Sequence, residues 1–489
     1  MFLGIDLGTT ELKVLLLSTD GSIVGTARHP LEISRPRHRW SEQDPDDWWQ
    51  ATRIALSTLR NNHPDAFASI QAIGLSGQMH GAVLLGANDQ PLRPAILWND
   101  MRSASECAEL EARAPRLREI AGNCAMPGLT APKLLWLARH EPECFRKLSC
   151  VLLPKDYIRL RLTGDKLTDA SDASGTLWLD VERRQWSDEL LHACDITQTQ
   201  VPPILEGCQA CGGVLSSVAS ELGLPPNVLV ATGGGDTATS ALGVGATEPG
   251  EGFLSLGTSG VLSVVTERFR PSPELGLHAL CHAIPDRWHR TSVVLSAASC
   301  IRWICKLTSA DELCLLAEVE TLCANARAKA PLFLPYLSGE RTPHNDPYAQ
   351  GVFLGLCDST DRATLAYSVL EGVTFALTDG LDALRADGTR ETSISLIGGG
   401  ARSTFWTQLI ADAFGVPIRR VPDAQCIAAL GAARLGWLAA DGDFSVVVSP
   451  PTASQEFVPD VERHSILSDR LASFRTLYQQ LQPVFSTRT

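Results

Sequence analysis

The sequence predicts an α/β protein made of two related domains. Three observations predict it. The chain has 489 residues, more than a single core of about 250–300 residues accommodates. A short strand–turn–strand unit occurs twice, half a chain apart. Apolar strand-like runs also alternate with stretches of helical spacing, the mark of mixed sheets flanked by helices. The domains are expected over 1–245 and 246–489.

The first unit opens the chain. Phe2-Leu3-Gly4-Ile5 and an apolar run over 12–17 flank Asp6-Leu7-Gly8-Thr9-Thr10, which reads as two strands joined by a tight turn. Ile73-Gly74-Leu75-Ser76-Gly77 is a strand ending in a turn, followed by Gln78-Met79-His80. Val228-Leu229-Val230-Ala231-Thr232 runs into Gly233-Gly234-Gly235-Asp236. The first unit then recurs: Leu256-Gly257-Thr258-Ser259 repeats Leu7-Gly8-Thr9-Thr10, with Gly257 placed 249 residues after Gly8. That offset suits duplication of a whole domain, not a solenoid with a period of about 20–50 residues. Ser255 stands where the first copy has Asp6, so one half alone keeps the charge. Helical spacing covers 361–386 and 404–414, and Ile394-Ser395-Leu396-Ile397 runs into Gly398-Gly399-Gly400. Residues 245–252, with Pro249 and Gly250, are the expected boundary or hinge.

Composition narrows the function. Hydrophobic residues are 44% and charged residues 20% of the chain, ordinary for a folded globular protein. A formal net charge of −13 disfavours nucleic acid and anionic membranes as partners. The fourteen cysteines are scattered, and the single C-x-x-C pair, Cys208 and Cys211, lacks the second pair of a zinc ribbon. No leader-like start or membrane-length apolar run is read, so the cytoplasm is the expected location.

The chemistry points to phosphate. Strand ends closing in glycine or Gly-Thr turns let backbone N–H groups approach an anion. Several such loops hold a triphosphate with little net positive charge. No Gly-Lys dipeptide and no G-x-G-x-x-G spacing occurs, so Walker, Rossmann and protein-kinase loops are excluded. Asp236 follows three glycines at a strand end and reads either as a helix N-cap or as a base for a substrate hydroxyl. Asp6 reads as a structural turn residue or as a carboxylate near Mg²⁺. Lys13 is a solvated lysine or a phosphate partner. Gln78-Met79-His80 and Trp98-Asn99-Asp100 mix polar and apolar character, a lining suited to a polyol, though a lone histidine is as readily structural.

Together these segments, with Gly128-Leu-Thr-Ala-Pro-Lys133-Leu-Leu-Trp136 and residues 351–371, resemble the FGGY carbohydrate kinases over nearly the whole chain. The resemblance implies two actin-like (ribonuclease H-like) domains around a central cleft. It implies transfer of phosphate from ATP to D-xylulose, or alternatively to another ketopentose or a pentitol, and more remotely a non-catalytic sugar sensor. Asp236 would be the general base and, with Asp6, would help to place Mg²⁺. Gly8, Thr9, Thr10, Gly257 and Thr258 would clasp the phosphates beside Lys13, and Gly399 and Gly400 would face the nucleotide. Gln78, Met79, His80, Asn99, Asp100, Asp236 and Thr237 would line the sugar site, with Asp169-Ala-Ser171 nearby. The partners implied are a small sugar and MgATP, with a homodimer as the assembly. Thr237 departs from the Asn common in family members that act on D-xylulose, and Thr364 from a longer polar residue, the latter expected at the surface.

Overall fold

Strand Phe2–Leu7 is buried along its whole length, as a central strand covered on both faces must be. It pairs antiparallel with Glu11–Leu17 and parallel with Ala72–Gly77. The computed structural model describes residues 1–421, 424–451 and 455–485. Its first large sheet runs Ala210–Gly213, Leu229–Ala231, Ala72–Gly77, Phe2–Leu7, Glu11–Leu17, Ile23–Pro30, with Gly234–Gly235 also on Ala72–Gly77.

The second large sheet repeats this plan. Its order is His278–Cys281, Trp288–Val294, Gly260–Thr266, Glu251–Leu256, Ser393–Ile397, Ile418–Arg420, Gln455–Phe457. Glu251–Leu256 is antiparallel to Gly260–Thr266 and parallel to Ser393–Ile397, matching the partners of Phe2–Leu7. The duplication read from four small residues is thus a duplication of six strands with the same order and sense. The two hairpins differ in their turns: Gly8 donates its N–H to Glu11 O at 3.1 Å, whereas Gly257 donates to Ser259 O at 3.0 Å.

One helix crosses the boundary that chain order suggests. Helix Ile427–Ala439 belongs to the second half by sequence but packs on strands Phe2–Leu7 and Ala72–Gly77 and on helix Asp236–Val244. Glycines permit that approach, since a Cβ at Gly4 or Gly74 would collide with the carbonyl oxygens of Ala429 and Ala432. Helix crosses helix in the same way, with Gly431 against Thr239 O and Gly243 against Ile427 O. A core of Phe2, Leu17, Leu242, Phe253, Ala433 and Trp437 therefore lies between the sheets, in addition to the cores within the two domains. Between the sheets the chain passes through Gly245 and Gly250, at φ 79° and 91°, a conformation glycine adopts without strain. Thr364, half-buried, gives its N–H to the N-cap Asp361 of helix Arg362–Arg385. No helix among the described residues is long and apolar enough to cross a membrane.

Candidate active site

Two carboxylates meet where the first sheet ends. Asp236 is the first residue of helix Asp236–Val244, and Gly235 occupies the N-cap. The N-cap reading of Asp236 therefore falls. Its side chain receives the Thr237 hydroxyl at 3.3 Å and remains partly open to solvent. Burial, then the charge of Asp6, raises its pKa to about 7. Asp6 accepts the Ser76 hydroxyl at 2.9 Å, and Ser76 Oγ lies 2.8 Å from Thr239 Oγ1 on the Asp236 helix. The two carboxylates are thereby tied to one frame. Lys13 stands opposite Asp6 in the strand register and is itself paired with Glu11 at 3.1 Å.

His80 sits at φ 70°, an uncommon conformation for a residue with a Cβ and one that persists only when its surroundings impose it. Here they do. Its carbonyl accepts Lys133 Nζ at 2.7 Å and the Thr130 hydroxyl at 3.2 Å. Its Nδ1 lies 2.9 Å from Gly175 O, where only glycine leaves room for the ring. Nδ1 must donate to that carbonyl, so Nε2 is the acceptor. Burial first, then Lys133 and Arg341, push its pKa down to about 3, so the ring is neutral. Met79 packs on Gly235, where a Cβ would lie 2.8 Å from its sulfur.

Two predicted sugar ligands take other roles. Gln78 is buried, with its Oε1 receiving the Thr9 hydroxyl at 3.1 Å and its Nε2 donating to Gln43 Oε1 at 3.0 Å. It braces the first hairpin instead of facing a ligand. Asp100 is fully buried and receives Arg102 Nε at 2.9 Å, Arg102 Nη2 at 2.7 Å and Ser41 N at 2.6 Å, which leaves no oxygen for a sugar. Asn99 differs, because its buried Oδ1 has no hydrogen-bond partner among the described residues. The Thr9 hydroxyl is also committed, since it accepts the half-exposed Trp98 indole N–H at 2.9 Å. Thr10 is left exposed at the turn.

The second hairpin opens onto a cavity of about 840 Å³ lined by Gly257, Thr258, Arg302, Gly399, Gly400 and Arg402. That brings four predicted nucleotide residues together. Arg302 donates to Thr258 Oγ1 at 3.0 Å and Arg402 to Gly399 O at 3.2 Å, so two cations that the sequence reading missed flank it. A smaller hollow of about 210 Å³, lined by Tyr367, Phe405 and Leu467 together with Arg327, Arg463 and Arg470, holds none of the predicted site residues. Cys211 donates its thiol to Val230 O, and burial raises the pKa of both Cys208 and Cys211.

Behind Asp236 lies a wholly buried charge cluster. Lys155 Nζ is 2.5 Å from Asp156, 2.7 Å from Asp169 and 3.2 Å from Asp172. Burial holds Asp172 well above the usual carboxylate range. Ser171 donates to Asp169 and accepts Gly235 N–H at 3.1 Å, while Arg159 donates to Thr232 O at 2.7 Å. The glycine loop that presents Asp236 is therefore fixed from below. Asp169-Ala-Ser171, expected near the sugar, acts through this loop.

A duplicated sheet with a Gly-Thr turn in each half, and a carboxylate of pKa about 7 at the start of a helix beside the first sheet, is the frame of a two-domain phosphotransferase. Comparison with known proteins refines the class. The model of the FGGY family of carbohydrate kinases matches residues 1–243 with its N-terminal domain and 252–440 with its C-terminal domain. The chain is 49% identical to the xylulose kinase of Escherichia coli strain K12, over 99% of this chain and 100% of that one. Its fold matches a solved structure described as a xyloylose kinase from Brucella ovis, at 47% identity and TM-score 0.95, covering 99% of each chain. It also matches a gluconate kinase from Lactobacillus acidophilus at 26% identity and TM-score 0.93, over 100% and 99% of the two chains. The chain belongs to the FGGY family of carbohydrate kinases.

Proposed function

We propose that the protein transfers the γ-phosphoryl group of MgATP to the C5 hydroxyl of D-xylulose, giving D-xylulose 5-phosphate and ADP. The observation that carries the reading is Asp236, a carboxylate with its pKa raised to about 7 beside a neutral, rigidly held His80. Asp236 takes the proton of the attacking hydroxyl, which suits a base poised near the working pH. The neutral His80 offers Nε2 as an acceptor to a second hydroxyl and so fixes the sugar's orientation. Thr258, Gly257 and the Thr10 edge of the first turn receive the phosphates. Positioning and charge neutralisation supply most of the acceleration in such a transfer.

The donor set suits Mg²⁺. Asp6 and Asp236 offer hard oxygens, and among the described residues no group of three or more acidic, histidine or cysteine side chains forms a complete cage. Mg²⁺ is commonly held by one or two carboxylates plus water and substrate phosphates. When bound there, it would neutralise phosphate charge. Closure about 245–252 would exclude water from the transfer.

Thr237 favours a second reading, in which the same chemistry acts on another ketopentose or a pentitol. Neighbours described as xylulose and gluconate kinases share this fold, so the fold alone does not select the sugar. An ADP-release assay with MgATP against D-xylulose, D-ribulose, L-ribulose, xylitol and D-arabitol tests both. Selective turnover of D-xylulose is expected; selective turnover of another member would overturn the substrate and keep the kinase.

A further inference from the structure

We propose that Arg184 is a positioning residue for the reaction. It clamps a turn of the second domain, residues 282–287, against the glycine loop of Asp236, so that the seating of that domain sets the placement of the base. The inference rests on Asp236 being the base, as read above. The turn joins strands His278–Cys281 and Trp288–Val294, and Arg184 reaches it from the first domain. Nε and Nη2 of Arg184 donate to the two oxygens of Glu206 at 2.7 and 2.6 Å. Nη1 also donates to Arg287 O at 3.0 Å, and Nη2 to His282 O at 3.0 Å and Ile284 O at 3.3 Å. The guanidinium thus holds a carboxylate of one domain and carbonyls of the other in a single plane, which an ammonium cannot reproduce.

The turn is also tied to the segment that joins the domains. His282 Nε2 lies 3.1 Å from Ala246 O and must donate to it, and Nδ1 then accepts the Ile284 N–H at 3.3 Å. Arg287 Nε donates to Thr247 O at 3.1 Å, and its Nη2 to Glu248 at 2.9 Å. Residues 246–248, between Gly245 and Gly250, are therefore bound to the turn that Arg184 grips.

From the turn the contact passes to the base. Ala283 lies in the chain between the two carbonyls that Nη2 holds, and it is fully buried. A Cβ at Gly207 would lie 2.6 Å from Ala283 O and 2.5 Å from Gly233 O, so the three backbones are in direct contact. Gly233 N–H donates to Gly207 O at 3.0 Å. A Cβ at Gly234 would lie 3.2 Å from the Ala283 methyl. The loop that ends at Asp236 therefore rests on Ala283 of the second domain, while Ser171 of the first domain holds Gly235 N–H. It has one support from each domain, and Arg184 fixes the one that comes from the second. Phosphoryl transfer depends on the alignment of base and acceptor, so a loop braced in this way is aligned only when the domains are seated.

Steady-state kinetics and amide hydrogen exchange on Arg184→Met, Arg184→Lys and Glu206→Ala test the assignment, with the sugar that the wild type turns over best. Arg184→Met should lower kcat by about 10–100-fold, the scale of a small misplacement of a reacting group. KM for the sugar and for MgATP should each change by less than about threefold, since binding contacts are untouched. Arg184→Lys should recover only part of the loss. In the ligand-free variant the peptide over 229–237 should exchange faster, while that over 11–17 keeps its protection. Glu206→Ala releases the clamp at a half-buried position and should show the same split between kcat and KM, which keeps the test open if Arg184→Met does not fold. An unchanged kcat, a loss carried by KM for either substrate, or exchange that rises evenly along the chain would each overturn the proposal. Near-normal turnover by Asp236→Asn would sink the base reading itself, whereas the exchange measurement needs no turnover and judges the clamp alone.

Discussion

Asp236→Asn separates the two consequences of burying a carboxylate at the position proposed for the base. The folded state raises the pKa of Asp236 from 3.8 to about 7, roughly 3 pH units, which at ~1.4 kcal/mol each amounts to about 4 kcal/mol. Between those pKa values the folded chain keeps a proton that the unfolded chain has lost. Stability therefore falls as pH rises from about 4 to about 7, and the whole penalty stands above pH 7. Asparagine carries no charge to desolvate and does not repel Asp6. In metal-free buffer at pH 8, the variant should be more stable in urea denaturation by a few kcal/mol, with ~4 kcal/mol as the ceiling. At pH 5 the wild-type carboxyl is protonated in the fold, and the gain should shrink by more than half. Turnover at pH 8 should fall by about 10²–10⁴-fold, and by a smaller factor at pH 5, where the wild-type base is itself mostly protonated. A variant no more stable than wild type at pH 8, or equally stabilised at both pH values, would refute the reasoning. So would near-normal turnover.

In the wild type, kcat/KM for the sugar should fall about tenfold per pH unit below about 7 as Asp236 takes up its proton; a flat profile down to pH 5 would exclude it as the base. Lys133→Met removes the cation that holds His80 O at 2.7 Å and leaves that carbonyl short of a partner, at a cost of about 1–3 kcal/mol. The melting temperature should drop and KM for the sugar should rise at least about tenfold, with KM for MgATP spared. Thr258→Ala and Arg302→Ala both remove the 3.0 Å contact at the second turn. Each should raise KM for MgATP about tenfold in single-substrate titrations while leaving the sugar's KM unchanged.

Local signals in the sequence located the turns and Asp236 because glycine and threonine at strand ends have few other uses. The duplication was legible for the same reason, as four small residues sufficed to index two sheets. What could not be read was which polar side chains are already engaged. Gln78 and Asp100 have the composition of ligands, but Thr9 and Gln43 engage the two ends of the Gln78 amide, and Arg102 and Ser41 engage the Asp100 oxygens. Those partnerships depend on loops whose approach is fixed by tertiary packing. Lys133 lay in a recognised segment, but its grip on His80 arises because a helix 50 residues further along points its lysine back at a strained strand end. Helix Ile427–Ala439 was hidden for a different reason. Its glycines and alanines look like poor packing material until a second helix and two glycine-bearing strands are brought against them.

The duplication also bears on the proposed division of labour, with the chemistry in one half and the nucleotide in the other. The ends of the two fourth strands diverge. Ala72–Gly77 leads into Gln78-Met79-His80, and Ser393–Ile397 leads into Gly398-Gly399-Gly400. The ends of the two first strands diverge with them. Asp6 faces Ser76 across the parallel register, and Ser76 supplies the hydroxyl that steadies its carboxylate. Ser255 faces Ile397 in the equivalent register, where no such donor exists. A carboxylate at 255 would stand beside the Gly257 and Thr258 turn without a partner and would repel the phosphates that this turn is built to receive. The loss of the acid in the second copy and the loss of its hydroxyl neighbour are thus one change. On the proposed reading, that change turns a site suited to a metal and a proton into one suited to an anion, while the strands around it stay the same.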